Sequence, residues 1–267
     1  MAPSSTSRPD EPAGPAEVER ANRAEWDQMA DEYQAEHGAF LGDAGFRWSP
    51  EGADEADLHL LGDVAGLDVL EIGCGAAQCS RWLLDRGARP VGIDLSTRQL
   101  QHSRRLDDDA DVHVPVVAGT ATALPFADRS FDAVCSAFGA LPFVADVDAA
   151  MAEVARVARP GGSWVFSVTH PVRWMFPDDP TEAGLRVVRS YFDREPYEER
   201  TEDGALAYAE HHRTVGDWVR AVVAAGFVVD DLVEPEWSPG NTHVWGGWGP
   251  ERGATLPGTA ILRTHLG

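Results

Sequence analysis

The sequence contains no lysine; all 22 of its basic side chains are arginine. That absence excludes a Schiff-base lysine, a phosphate-loop lysine and a lysine general base. Cysteine is scarce: Cys74, Cys79 and Cys135 are the only three. An odd count without a secretory leader points to reduced thiols and a cytoplasmic setting. No apolar run approaches the ~20 residues needed to span a bilayer. Positive charge is in deficit, with 44 acidic residues giving a net charge of −22. Such a surface repels phosphate backbones and anionic bilayers, so neither nucleic acid nor membrane is an expected partner. Metal-ligand spacing is missing too. His211 and His212 are adjacent and cannot share one helical or strand face, so no metal is expected.

What is present is a chain of 267 residues, long enough for one large domain with an elaborated cap. Residues 1–16 are rich in Pro, Ser and Ala and read as a disordered tail. Residues 17–61 read as N-terminal lid helices. Trp26, Met29, Ala30 and Tyr33 fall at i, i+3, i+4 and i+7, one face of a helix. Residues 62–267 carry the main domain. Short apolar strands are expected at 68–73, 90–94, 112–118, 131–136 and 163–169. Helices are expected at 78–86, from Ser96 to about Leu106, and at 146–159. Pro115 marks the third strand as lying near an edge. Strand and helix alternate with short links, the signature of a parallel sheet covered by helices on both faces. The alternation stops in an insert, 171–213, and resumes with a helix at 214–226 and strands at 227–234 and 259–266. The fold class is therefore α/β and doubly wound.

The chemistry points to the first turn. The opening strand ends Glu71-Ile-Gly-Cys-Gly75, and the next strand ends in Asp94, nineteen residues on. A nucleotide lying across the carboxyl ends of parallel strands needs backbone to approach closely at this turn, which glycine permits. An acidic residue one strand over can accept from both ribose hydroxyls. A dinucleotide site would carry a third glycine to seat a pyrophosphate. Ala76-Ala77-Gln78 follows here instead, and the acidic Glu71 beside the turn suits a cationic ligand better.

Val69-Leu-Glu-Ile-Gly-Cys-Gly75, Gly92-Ile-Asp-Leu-Ser96, Ala123-Leu-Pro-Phe-Ala-Asp-Arg-Ser-Phe-Asp132 and Val157-Ala-Arg-Pro-Gly-Gly162 together resemble the class I S-adenosylmethionine-dependent methyltransferases, in particular the small-molecule, ubiquinone/menaquinone-biosynthesis-like branch. The resemblance covers roughly Leu67 to Thr169. It implies a Rossmann-like, mostly parallel seven-stranded sheet with the last strand antiparallel, S-adenosyl-L-methionine as cofactor, and a small-molecule methyl acceptor. By resemblance, Gly73, Cys74 and Gly75 line the methionine and ribose portion through their backbone. Asp94 binds the ribose diol, Leu95 packs on the adenine, and Gln99 reaches the ribose. Thr120 and Ala121 face the adenine edge, although many relatives carry an acidic residue where Thr120 stands. Ser136 and Ala137 lie beneath the methyl donor.

Several positions have two readings. Glu71 either neighbours the cofactor or pairs with a nearby donor. Tyr33 either touches the methionine end from a lid helix or packs in the core. Arg47 either pairs with the methionine carboxylate or is an ordinary surface arginine. His170, ending the fifth strand, and His37, after the lid helix, are the candidate general bases, needed if the acceptor is a hydroxyl; a structural hydrogen bond is the alternative for His170. Trp237, Trp245 and Trp248 lie in a Gly-rich stretch read as a folded loop over the site. Two other functions compete: a nicotinamide-dependent oxidoreductase, which the missing third glycine disfavours, and a non-catalytic S-adenosylmethionine-binding module, which would need no acceptor pocket. Oligomeric state has no signature in the sequence.

Overall fold

The structure, a computed structural model, describes residues 13–267. The expected tail therefore lies mostly outside the described residues. Its last two positions belong to helix α1 (Pro15–Leu41), which starts on Pro15 rather than at 17. Proline suits that place, because the first helical turn has no use for its missing N–H. The helix runs four residues past His37 and stops at Gly42, whose left-handed φ of 73° lets its N–H return to the Gly38 carbonyl. A single turn, α2 (Glu55–Leu58), follows. It stops three residues short of the end of the helical region expected over 17–61. The buried Glu55 carboxylate explains why: it takes the N–H groups of Leu60 and Leu61 and the Trp48 indole, which organises this stretch as a loop.

The alternating region then unfolds in order: β1 (Asp68–Ile72), α3 (Gln78–Asp85), β2 (Arg89–Asp94), α4 (Thr97–Ala110), β3 (Val116–Ala118), β4 (Phe131–Ser136), α5 (Val147–Val157) and β5 (Ala158–Thr169). β3 is shorter than predicted and begins just after Pro115, which has no N–H to give the ladder. It forms the edge of the sheet. β5 starts five residues earlier than expected. Phe131 pairs with Ala158 and Ala133 with Ser163, so Pro160-Gly-Gly162 is absorbed in a bulged strand.

The insert contains two 3-10 turns and an antiparallel hairpin, β6 (Tyr197–Arg200) with β7 (Leu206–Glu210). Sequence patterning did not reveal this hairpin, because its outer strand is charged rather than apolar. It is fastened to α1 by Asn22, whose side chain exchanges two hydrogen bonds with the backbone of Ala209, 2.8 and 3.0 Å long. Val18, Ala21, Leu206 and Ala209 bury a small apolar cluster beneath it. Helix α6 (Val215–Ala224), β8 (Phe227–Val233), the short α7 (Pro250–Gly253) and β9 (Thr259–Leu266) complete the chain.

The seven-stranded sheet has the order β3-β2-β1-β4-β5-β9-β8. All neighbours from β3 to β5 are parallel, whereas β9 runs antiparallel to both β5 and β8. Successive residues point to opposite faces and feed separate cores. Val134, Trp164 and Phe166 pack toward α5 and α6 with Met151, Trp218 and Val222. Ala133, Cys135 and Val165 pack on the other face with Trp48, Leu83 and Ile261. The carboxyl ends of β1, β2 and β4 thus share one rim, and α1 lies along it.

Candidate functional site

The first turn departs from regular backbone at three positions. Gly73 (φ 69°), Gly75 (φ 52°) and Ala77 (φ 57°) all occupy the left-handed region. At Gly73 a Cβ would meet the Ala140 Cβ at 2.6 Å, so the turn packs directly against the segment following β4. At Gly75 the nearest atom to such a Cβ is the Gln99 Oε1, 3.9 Å away, so the space above it is open. That space is a cavity of about 350 Å³, within the range of small-ligand sites. Its walls come from the β1 turn (Gly73, Gly75), the end of β2 (Asp94, Leu95), Gln99, the loop after β3 (Gly119, Thr120, Ala121, Thr122), Ala140 and Phe143 after β4, and Trp26 and Tyr33 of α1.

Asp94 anchors the floor. Its two carboxylate oxygens each accept one backbone N–H, from Gly75 and from Ser96, both at 2.7 Å. Each oxygen keeps a second lone pair for a ligand. Burial, reinforced by the nearby Asp27 charge, pushes the carboxyl up to about 6, against the pull of those N–H groups. Ser96 caps α4 by accepting from Gln99 N–H. Asp27 of α1 in turn accepts from the Ser96 hydroxyl (2.8 Å) and from Arg98 N–H (2.9 Å). Arg98 reaches back to Asp31 with two bonds of 3.0 and 2.7 Å. Helix α1 is therefore fastened to the same turn that holds Asp94. A relay of amides crosses the gap: Gln78 donates to Gln34 (3.1 Å) and Gln34 to Gln99 (2.8 Å).

A second, smaller cavity of about 70 Å³ adjoins the first and shares Tyr33, Gly73 and Gly139 with it. Glu71, Cys74, Arg47, Ala137, Phe138 and Trp245 line it. The Glu71 carboxylate accepts from the Ser80 N–H (2.9 Å) and hydroxyl (2.5 Å), and burial pushes it up to about 7. Arg47 borders this cavity, but its guanidinium is held by Asp54 (3.0 Å) and the Phe40 carbonyl (2.5 Å). Phe138 sits at φ 61°, uncommon for a bulky residue, and its N–H is tied to the Ser167 hydroxyl at 2.7 Å. Trp245 is pressed flat on His37, with ring centres 3.7 Å apart.

Most of the anticipated residues converge here: Tyr33, Gly73, Gly75, Asp94, Leu95, Gln99, Thr120 and Ala121 on the larger cavity, Glu71, Cys74, Arg47 and Ala137 on the smaller. Ser136 is buried beneath and borders neither. The two candidate bases do not converge. His170 donates from Nε2 to Glu234 (2.7 Å), while Nδ1 accepts from Val172 N–H (3.1 Å), so it caps the 3-10 turn at Pro171–Met175. That geometry corrects the reading of His170 as a base, since both ring nitrogens are committed away from the cavities. His37 lies behind Trp245, and burial holds its imidazole below the usual range. Sequence reasoning missed Gln34, Gln78 and Asp27. Glutamine and aspartate on a long helix look like surface residues until the helix is laid on the rim.

Residues 70–166 match the family model described as "Methyltransferase domain". Over these residues the chain is similar to class I S-adenosylmethionine-dependent methyltransferases. It is 37% identical over 138 residues to a demethylmenaquinone methyltransferase of Renibacterium salmoninarum, covering 51% of this chain and 56% of that one. It is 46% identical over 105 residues to a demethylmenaquinone methyltransferase of a Mycobacterium species, covering 39% and 43%. Among solved structures, an S-adenosylmethionine-dependent methyltransferase from Mesorhizobium loti superimposes with a TM-score of 0.65 at 28% identity, over 81% of this chain and all of that one. The chain spans about half the length of the curated relatives it matches. The site fits the family's cofactor on two independent counts. Among the described residues the larger cavity is lined by three carboxylates, Asp94, Glu19 and Asp146, and no basic side chain, which suits a sulfonium and disfavours a pyrophosphate. The open space over Gly75 is a cradle that any side chain would fill.

Proposed function

We propose that this methyltransferase domain binds S-adenosyl-L-methionine in the larger cavity and transfers its methyl group to a small-molecule acceptor. When bound, the cofactor supplies an electrophilic methyl on a sulfonium. The observation that carries the reading is the lining just described: a bare glycine turn and a ribose-type carboxylate in a cavity to which the described residues bring no cation.

The chain's own residues then have distinct tasks. Asp94 accepts the ribose hydroxyls with the lone pairs left free by Gly75 and Ser96. The Gln99 amide, oriented by Gln34, donates to the same sugar. Leu95 and Thr120-Ala121 bound the adenine. The backbone of Gly73, Cys74 and Gly75 carries the methionine portion toward Glu71. Tyr33 stands where the two cavities meet, kept as a neutral phenol by burial and by the Asp94 charge. With Trp26 and Trp245 it excludes water and aligns acceptor with donor. Alignment of this kind contributes ~7–11 kcal/mol when reacting atoms are held ~3–3.5 Å apart. No histidine stands at the seam between the cavities, so an acceptor ionised in solution, or an amine, fits better than one needing a protein base.

The acceptor is named only by class. The match to the family model ends at residue 166, before the hairpin insert and the tryptophan loop that close the acceptor side. Demethylmenaquinone is the first acceptor to try, because relatives bear that name. A cytoplasmic location is supported by three buried, unpaired cysteines, and no helix of the described residues is long and apolar enough to cross a membrane. The acidic balance argues against nucleic acid as acceptor. Division into residues 17–61 as lid and 62–267 as catalytic body, with insert 171–213, belongs to the same proposal.

Calorimetry with S-adenosylmethionine, S-adenosylhomocysteine and NAD tests the cofactor, and release of S-adenosylhomocysteine in the presence of demethylmenaquinone tests transfer. Heat with both adenosyl ligands and none with NAD is expected. No heat with either adenosyl ligand overturns the reading; binding without turnover on any small acceptor would leave a binding module.

A further inference from the structure

A third cavity, about 500 Å³, opens between the hairpin insert and α6, apart from the cofactor site. In a chain of net charge −22 its lining is unusual: Arg194, Arg213 and Arg220 with His211 and His212, against Asp148 and Asp217. Asp217 is fully occupied. It takes Arg194 at 2.8 Å, Arg220 at 2.5 Å and the Thr214 N–H at 3.0 Å in a capping box. The α6 N-terminus is therefore already satisfied, and the interest lies in the side chains beside it.

Arg213 is half-buried and forms no ion pair among the described residues. Its Nη2 is spent on the carbonyls of Val144 and Ala145, its face rests on Trp218, and its Nη1 has no partner. His212 is 3% exposed; its Nε2 donates to the Tyr191 carbonyl at 2.8 Å, which leaves Nδ1 without a partner. His211 Nε2 is likewise unpartnered. Three buried polar atoms from consecutive residues thus stand unsatisfied in residues that wall one cavity. Buried polar atoms are rarely left so, and a guanidinium that feels Asp148, Asp217 and Asp146 without touching any of them has room for an anionic partner.

We propose that this cleft is a binding site for a compact oxyanion, a phosphate or carboxylate group, held by Arg213 at its base and by Arg194 and Arg220 at its mouth. The planar guanidinium fork matches such a group, and two further guanidiniums draw it in. Three guanidiniums against the carboxylates of Asp217 and Asp148 leave the cleft with a net positive charge. The proposal is independent of the methyl-transfer reading, because none of these residues lines either cavity of the cofactor site.

The test is thermal unfolding of the full chain with potassium phosphate or potassium acetate, each against potassium chloride at matched ionic strength. At ten times its dissociation constant a bound anion is expected to raise Tm by about 3–5 °C. Phosphate and acetate arms tell which oxyanion is preferred. Arg213→Gln is expected to abolish the shift. Should that variant not fold, Arg194→Ala/Arg220→Ala, at exposed positions, is expected to halve the shift or more. Arg104→Ala, an exposed arginine on α4, is expected to keep it whole. Neither anion exceeding chloride, or a full shift in Arg213→Gln or in the double variant, would overturn the proposal.

Discussion

Replacing Gly75 by alanine separates what the turn does for the fold from what it does for a ligand. At φ 52° an alanine is strained, because its Cβ crowds the following carbonyl, at a cost of roughly 1–2 kcal/mol. No packing clash adds to this, since the nearest atom to the new methyl is 3.9 Å away. A chain of this size should then lose about 2–8 °C in Tm and still fold. The methyl points into the cavity, however, where the cofactor's path lies across bare backbone. S-adenosylhomocysteine affinity should fall by at least about tenfold, or 1.4 kcal/mol. Gly73→Ala is the contrasting variant. There the new Cβ meets the Ala140 Cβ at 2.6 Å and the Ala140 backbone at 3.3 Å, so overpacking of about 1–3 kcal/mol adds to the strain. Calorimetric binding and differential scanning of the two variants provide both readouts. Wild-type affinity in Gly75→Ala would refute the placement of the ligand over this turn, and equal stability losses in the two variants would refute the steric argument.

The Asp94 carboxyl, raised to about 6 by burial, offers both oxygens as acceptors to the proposed ribose only when ionised. Below that pH binding must first expel a proton, so S-adenosylhomocysteine affinity should fall about tenfold per unit once pH drops well under 6; a flat profile from pH 7 to 5 would contradict it. Asp94→Asn should weaken binding roughly 10- to 150-fold, the worth of one charged hydrogen bond. Asp27→Ala removes two of the bonds that fasten α1 to α4 and should cost about 1–2 kcal/mol, with faster amide exchange across residues 15–41; unchanged exchange there would show that the ion pairs of Asp31 suffice. His170→Ala should lose about 1–2 kcal/mol of stability through its cap and Glu234 contacts, with S-adenosylhomocysteine affinity within about twofold of wild type. A tenfold loss of affinity would return His170 to the site.

Pattern along the chain alone was enough for the alternating α/β core, the edge place of β3 and the resemblance carried by the first turn and Asp94. Those features are local: a period of two or of 3.6, a proline without an N–H, a glycine where the backbone must bend left, an acid at the end of the next strand. Only the tertiary structure decided which side chains face the cavities. His170 ends its strand on the correct rim, yet a carboxylate 64 residues away and a backbone N–H two residues on claim both of its nitrogens. Gln34 and Asp27 look like ordinary helix-surface residues until α1 lies across the sheet and meets Gln99 and Ser96. The hairpin at 197–210 escaped detection for a similar reason. Its pairing is stabilised by Asn22, far away in sequence, rather than by an apolar alternation of its own. A side chain's partners are set by the packing of distant segments, and no local pattern encodes them.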